Sequence, residues 1–305
     1  MADKPGGSRA TLGNVLSKRG VWLAHGDCLE LLAAAAKAGP FDLVYVDPPF
    51  DSRAHHGVRA GRGHRATGTR AYADHWGGID AFLAMLEPRL AALRGVMSER
   101  GALYLHLDHR AVHEAKVLAD RLFGRAAFRG EIIWVPGNGA RSKSGPSVTH
   151  QTILVYARGR ELIWNGADET LREPYAAISQ RMHFNQKDGD GRAFRERTLG
   201  GKTYRYYADS GRRRGSVWTD LPAMRANTPL LGEATGYPTQ KPEALLERIV
   251  RASSLPESRV LDPMCGSGTT LSVGARLGRR VAGIDQSAAA FQIAAKRLGL
   301  TPRAP

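Results

Sequence analysis

Apolar positions fall in short blocks, and each block is followed by a stretch of helical spacing. Val21–Ala24 reads as a strand ending at His25-Gly26-Asp27. Cys28–Lys37, rich in Leu and Ala, then reads as a helix stopped by Gly39-Pro40. Phe41–Val46 is a short apolar run bounded by Pro40 and Pro48, which fits a buried parallel strand. The spacing predicts a helix over Ile79–Arg94, broken or started again around Pro88, then a strand over Ala102–Leu107 and a helix over Ala111–Phe123. Glu131–Val135 and Thr152–Ala157 read as strands. Near the C-terminus the order is helix Glu243–Ala252, strand Arg259–Leu261, helix Gly268–Leu277, strand Arg280–Ile284 and helix Ala288–Leu298. Strands alternating with helices predict a doubly wound α/β domain.

Three stretches break this rhythm. Residues 1–18 are polar and Gly-containing, which predicts a loose arm. Residues 51–75 are rich in Gly and Arg without periodicity, the pattern of a mobile functional loop. From Gly137 to Gly236 the apolar runs shorten and basic residues cluster, so 137–236 reads as an insertion. It separates a first half, 19–136, from a second half, 237–305. A chain of 305 residues is long enough for one large core with such an insertion.

Composition narrows the partners. The formal net charge of +15 favours a polyanion, and nucleic acid is the leading candidate. The two cysteines, Cys28 and Cys265, lie far apart in unrelated contexts. That excludes a disulfide framework and a zinc knuckle and suits a reducing cytoplasm. His55, His56 and His64 have no partner at metal-ligand spacing, so no metal is expected. No apolar run approaches membrane-spanning length, and Met1–Ala10 lacks a signal-peptide core.

Two blocks carry chemistry. Asp262-Pro263-Met264-Cys265-Gly266-Ser267-Gly268-Thr269-Thr270 joins a strand to a helix, the arrangement that brings backbone N–H groups to a ligand. The following strand ends at Asp285, the distance at which an acid reaches ribose hydroxyls in such folds. Leu271 stands where a nicotinamide fingerprint needs its third glycine, and no Gly-Lys-Ser/Thr follows, so dinucleotide and triphosphate loops are disfavoured. The second block, Asp47-Pro48-Pro49-Phe50, ends a strand. It resembles the catalytic tetrapeptide of enzymes that methylate an exocyclic amino nitrogen, a poor nucleophile because its lone pair is delocalised into the base. The Asp47 carboxylate and the Pro48 carbonyl offer two acceptors that aim it, the prolines fix the backbone, and Phe50 offers a flat face for an extruded base. Neither cysteine sits in a Pro-Cys context, which disfavours methylation at cytosine C5.

In this order the two blocks resemble the beta class of S-adenosylmethionine-dependent DNA amino-methyltransferases, over about His25 to Ile293. The resemblance implies a Rossmann-like mixed sheet in permuted order, with a target-recognition insertion. It implies that Asp47, Pro48, Pro49 and Phe50 are catalytic. It implies that Asp262, Met264, Cys265, Gly266, Gly268 and Thr269 form the cofactor loop, with Asp262 toward the methionine amino group and Asp285 at the ribose. Met264 stands where the class often has an aromatic. Asp27 either lines the adenine end or simply caps the helix after it. Thr239 and Lys241, within Tyr237-Pro238-Thr239-Gln240-Lys241-Pro242, resemble the segment that packs on the methionine moiety.

Duplex DNA is the implied partner. Its expected contacts are Arg53 in the loop and Arg195, Arg197, Lys202, Arg205, Arg212, Arg213 and Arg214 in the insertion, interleaved with Tyr204, Tyr206 and Tyr207. Asp before the prolines favours adenine N6 over cytosine N4. RNA, a protein glutamine and a silent DNA-binding relative are the remaining alternatives. The class also implies a cytoplasmic, nucleoid-associated enzyme and a homodimer; the sequence leaves open whether a cognate restriction endonuclease accompanies it.

Overall fold

The computed structural model describes residues 15–49, 54–59, 66–74, 77–137, 142–224 and 232–300. The chain runs β1 (Val15–Lys18), β2 (Val21–His25), α1 (Cys28–Ala35), β3 (Phe41–Val46), β4 (Ala54–Arg59), β5 (Ala66–Asp74), α2 (Ile79–Val96), β6 (Met97–Leu107), α3 (Val112–Phe123), β7 (Phe128–Trp134) and β8 (Gln151–Ala157). It continues with β9 (Arg172–Glu173), α4 (Ala177–His183), β10 (Gln186–Lys187), β11 (Ala193–Leu199), β12 (Lys202–Tyr207), β13 (Arg212–Arg213) and β14 (Val217–Trp218). It closes with α5 (Glu243–Ser253), β15 (Arg259–Asp262), α6 (Thr269–Arg276), β16 (Arg280–Asp285) and α7 (Ala288–Arg297).

Among the described residues, nine strands form one sheet in the order β1-β2-β16-β15-β3-β6-β8-β7-β14. From β2 to β6 the pairings are parallel, and β8 runs antiparallel between β6 and β7. The expected mixed, doubly wound sheet is therefore present. Alternation along β3 divides the core. Val44 and Val46 join the cluster with α1, α2 and α3 on one face, while Leu43 and Tyr45 join α5, α6 and α7 on the other. Strand β15 lies against β3, with Val260 opposite Leu43, although more than two hundred residues of chain separate them. The chain leaves β15 toward β16 and leaves β3 toward β6, so this seam is the topological switch point, where open α/β sheets hold ligands.

Four expectations change. Val15–Lys18 is no part of a loose arm, because it pairs antiparallel with β2; residues 1–14 lie outside the described residues. Helix α2 runs unbroken through Pro88. Phe82, Met85, Leu86, Leu90 and Leu93 bury one stripe on both sides of the proline, and that packing outweighs the ~3 kcal/mol a mid-helix proline costs. Within 51–75, β4 and β5 pair antiparallel with two register shifts. Val58, Thr67, Thr69 and Tyr72 supply β propensity there without an apolar alternation to signal it. The insertion is also narrower than 137–236. Strands β8 and β14 belong to the main sheet, and the excursion between them holds a three-stranded sheet, β10-β11-β12, and the pair β13-β9.

Candidate active site

Four aspartates stand at the carboxyl ends of four neighbouring strands: Asp27 after β2, Asp285 closing β16, Asp262 closing β15 and Asp47 after β3. All four line one cavity of about 440 Å³, together with Gly26, Tyr45, Pro48, Pro49, Arg89 and Tyr237. The sheet order thus joins the two sequence blocks into one site.

The glycine loop is held from below by its own acids. Asp285 accepts from the backbone N–H of Gly266 at 2.8 Å and of Ser287 at 2.8 Å. Asp262 accepts from the Met264 N–H at 3.2 Å. Gly266 and Gly268 both adopt positive φ, at 50° and 73°. A Cβ on Gly268 would lie 2.9 Å from the Ala294 Cβ, and one on Gly266 would lie 3.1 Å from the Tyr237 ring, so glycine is required at both. Thr269 starts α6, and its hydroxyl accepts from Arg297 at 3.0 Å. Cys265 is buried, and burial pushes its thiol well above the usual range; burial likewise raises Cys28 to about 11. Both are thiols at neutral pH.

Burial also sets the acids. Asp262 is raised to about 7, chiefly by desolvation, with added repulsion from Asp47 and Asp285, against the lowering hydrogen bonds from Thr270 and the Met264 N–H. Asp285 is raised for the same first reason, held back by the two backbone N–H groups that it accepts from. Asp27 caps α1 and also lines the cavity. One carboxylate oxygen caps α1 by accepting from Leu29 N–H at 2.8 Å, and the other accepts from Arg89 at 2.5 Å, with both residues lining the cavity.

Lys241 lines the cavity, and its ammonium also donates to the Asp47 carboxylate of the catalytic block. The segment carrying it is braced: Gln240 accepts from Thr235 at 2.7 and 3.0 Å and donates to the Glu233 carbonyl at 2.8 Å. Thr239 in the same segment has φ 62°, a backbone state that non-glycine residues rarely adopt outside functional loops. Beneath Asp47, the buried His106 Nε2–H donates to the Gln151 amide oxygen at 2.7 Å, and Nδ1 accepts from the Tyr45 hydroxyl at 2.7 Å. Burial first, and the Lys241 charge second, push His106 well below its ordinary range, so it is neutral. Trp134 belongs to the core and donates to the Leu221 carbonyl at 2.7 Å.

Asp47, Pro48, Pro49, Asp27, Thr239, Lys241, Asp262, Met264, Cys265, Gly266, Thr269 and Asp285 all line the cavity. Gly268 supports it as the N-cap of α6. Phe50 and Arg53 lie outside the described residues. Arg89, Tyr237 and Thr270 also line the cavity, and sequence reasoning does not single them out. No motif marks Arg89, which reaches the site from α2 across 62 residues. Tyr237 and Thr270 are the end residues of two quoted blocks, but only the folded chain shows which side chains of those blocks turn inward.

The basic residues of the excursion lie away from this cavity, and they are not equivalent. Arg197, Lys202 and Arg213 are exposed. Arg205 pairs with Glu196 at 3.0 Å and Arg212 with Glu173 at 2.7 Å. Arg214 is 11% exposed and is tied to Asp220 at 3.0 Å, with Asp220 also holding Arg248 of α5 at 2.7 Å. These ion pairs link Arg214 to α5 of the body through Asp220.

Among the described residues no His, Cys, Asp and Glu cluster could hold a metal, and no helix is long and apolar enough to cross a membrane.

Comparison with known proteins agrees with this geometry. The type II methyltransferase M.EcaI of Enterobacter cloacae is 26% identical over 332 residues, covering 95% of this chain and 71% of that protein. The DNA adenine methyltransferase YhdJ of Escherichia coli (strain K12) is 27% identical over 279 residues, covering 90% of this chain and 82% of its own. Two solved structures share the fold. The M1.HpyAVI–SAM complex aligns over 92% of this chain and 100% of that one, with TM-score 0.54 and 18% identity. The cytosine-N4-specific PvuII DNA methyltransferase aligns over 97% and 92%, with TM-score 0.57 and 14% identity. The DNA methylase family matches residues 41–296, most of the chain, and the chain belongs to this S-adenosylmethionine-dependent N6/N4 family.

Proposed function

We propose that this enzyme methylates adenine N6 in duplex DNA, and that Asp47 aims the amino nitrogen. The observation that carries the reading is the meeting of Asp47-Pro48-Pro49 and the glycine loop in one cavity, through the pairing of β3 with β15. The cavity fits S-adenosylmethionine. Its volume is in the range of small-ligand sites, its backbone is bare at Gly266, and its acids are spaced along the strand ends. Asp262 is assigned the amino group of the cofactor, Asp285 the ribose hydroxyls, and Asp27 with Arg89 the adenine end. When bound, S-adenosylmethionine supplies an electrophilic methyl group.

The chain's own part is positioning. The Asp47 carboxylate accepts one N–H of the target amino group and the Pro48 carbonyl the other, which turns the nitrogen lone pair toward the cofactor side. Lys241 fixes the orientation of Asp47 before substrate arrives. The neutral His106, held between Tyr45 and Gln151, keeps the floor under Asp47 rigid. Phe50 is assigned the face on which the flipped base stacks. Arg197, Lys202 and Arg213 are assigned to DNA phosphates, supported by their exposure. We extend the proposal to a homodimer, to a cognate restriction endonuclease as partner, and to action at the nucleoid in the cytoplasm.

The test is substrate choice. With methyl-labelled cofactor, the protein should label unmethylated duplex DNA and leave RNA of the same sequence and glutamine-bearing proteins unlabelled. Label on RNA or protein in place of DNA would remove the substrate assignment.

A further inference from the structure

The ribbon formed by β11 and β12 sorts the basic residues of the excursion onto two faces. Residues directly opposed in an antiparallel pair share a face. The register opposes Arg195 to Tyr206, Arg197 to Tyr204 and Leu199 to Lys202. Strand β10 adds Lys187, opposite Ala193, to the same face. The other face carries Phe194 opposite Tyr207, Glu196 opposite Arg205 and Thr198 opposite Thr203.

The two faces differ in charge. The first collects Lys187, Arg195, Arg197 and Lys202, and none of its strand positions is acidic. On the second, Arg205 is neutralised by Glu196 at 3.0 Å and lies over the Phe194 ring at 4.0 Å, while the Thr198 and Thr203 hydroxyls bond each other at 3.0 Å. That face is occupied with holding the ribbon together. At the base of the first face Arg195 is half-buried, 5.0 Å from the Phe184 ring and 5.3 Å from the Tyr175 ring. Farther out, Arg197, Lys202 and Tyr204 are exposed. Gly200 and Gly201, with φ of 58° and 75°, close the ribbon in a tight two-residue turn, so its tip stays narrow.

We propose that this ribbon enters the major groove of the DNA substrate tip-first, with the Lys187, Arg195, Arg197 and Lys202 face against the duplex. The proposal rests on the DNA reading above and deepens it, because it divides residues that the sequence had grouped as one cluster. A major groove about 12 Å wide admits a two-stranded ribbon without deformation of the duplex, whereas a minor groove of about 6 Å would first have to widen, at a cost in bending. Arg197 and Lys202 meet phosphates at the groove walls, Tyr204 lies between them on the groove side, and Arg205 faces away.

The experiment measures binding of the full-length protein to unmethylated duplex DNA over a salt series, with dimethyl sulfate footprinting of the same complexes. Wild-type protein should protect guanine N7 in the major groove and leave adenine N3 in the minor groove reactive. Arg197→Ala with Lys202→Ala should flatten the plot of log affinity against log salt by about 1.8, since each phosphate that is no longer neutralised removes about 0.9 from the slope. The same double variant should abolish the N7 protection. Arg197→Lys should keep the slope, and Arg205→Gln should leave both readouts unchanged. The ribbon assignment is overturned if wild-type protein binds but Arg205→Gln flattens the slope as much as the double variant does. Protection of adenine N3 in place of guanine N7 overturns it equally. A wild-type protein that neither binds nor methylates duplex DNA overturns the DNA reading itself, and the ribbon with it.

Discussion

The α/β body and the excursion use charge in opposite ways. In the body, charged groups sit at buried strand ends, and their surroundings set their state: Asp262 is 3% exposed and raised to about 7, and Lys241 is 8% exposed against Asp47. In the excursion most charges stand in water, and what differs from one to the next is the face to which strand register assigns them. A functional position in the body is therefore fixed by topology, and one in the excursion by pairing. Substitutions in the body should alter turnover or cofactor binding sharply, whereas those in the excursion should alter DNA affinity in small, countable steps.

The largest effect is expected at Asp47. Asp47→Ala should lower kcat by about two to three orders of magnitude, the loss seen when a transition-state hydrogen-bond partner is removed. Dissociation constants for cofactor and DNA should stay near those of the wild type. Equal losses in binding and turnover would mean that the carboxylate serves the site's structure instead of the reacting nitrogen.

Lys241 separates two readings of one residue. If it positions Asp47, Lys241→Met should lower kcat on the order of tenfold to a hundredfold and barely change cofactor affinity. Weakened cofactor binding with kcat preserved would return Lys241 to the methionine side of the pocket, as the sequence suggests.

Cofactor affinity should depend on pH through Asp262. Its folded-state pKa is raised to about 7, so the carboxylate that would meet a cationic amino group is ionised above pH 7 and protonated below. Affinity should fall about tenfold from pH 8 to pH 6, as one linked proton requires. Asp262→Asn should bind weakly and show no such step. The same shift makes the ligand-free fold less stable as pH rises toward 7, because the folded state holds a proton that the unfolded chain releases at lower pH.

The smallest effect concerns Arg214. Its ion pairs are partly shielded, but Asp220 is 40% exposed, so Arg214→Ala should cost only about 1 kcal/mol in urea unfolding. The slope of DNA affinity against salt should not change. A flattened slope would place Arg214 on the DNA path and weaken the contrast between fastening charges and contacting ones.

Much of the body is legible in the sequence because parallel strands buried on both faces read as short apolar runs. Phe41–Val46 is located to the residue, and the loops after such strands carry local motifs. Asp27 reads only as cap or pocket residue, and it proves to be both, since one carboxylate has two oxygens. The ion pair of Lys241 with Asp47 carries no signal in the sequence, because the two residues lie 194 residues apart and meet only in the folded chain. Arg89 carries no signal at all, because Pro88 beside it suggests a break in the helix that packing prevents. In the excursion the basic and aromatic composition is plain, but the face of each residue is not. A shift of one residue in β11 would exchange Arg197 with Glu196; the Gly200-Gly201 turn fixes that register, but no apolar alternation along the two strands announces which residues share a face.

The most direct test is mass spectrometry of nucleosides from unmethylated duplex DNA treated with the enzyme and S-adenosylmethionine, beside the Asp47→Ala variant. The account predicts N6-methyladenine from the wild-type enzyme and almost none from the variant. N4-methylcytosine would contradict the choice of base. A methyl group on cytosine C5, or an undiminished yield from Asp47→Ala, would contradict the claim that Asp47 aims an amino nitrogen.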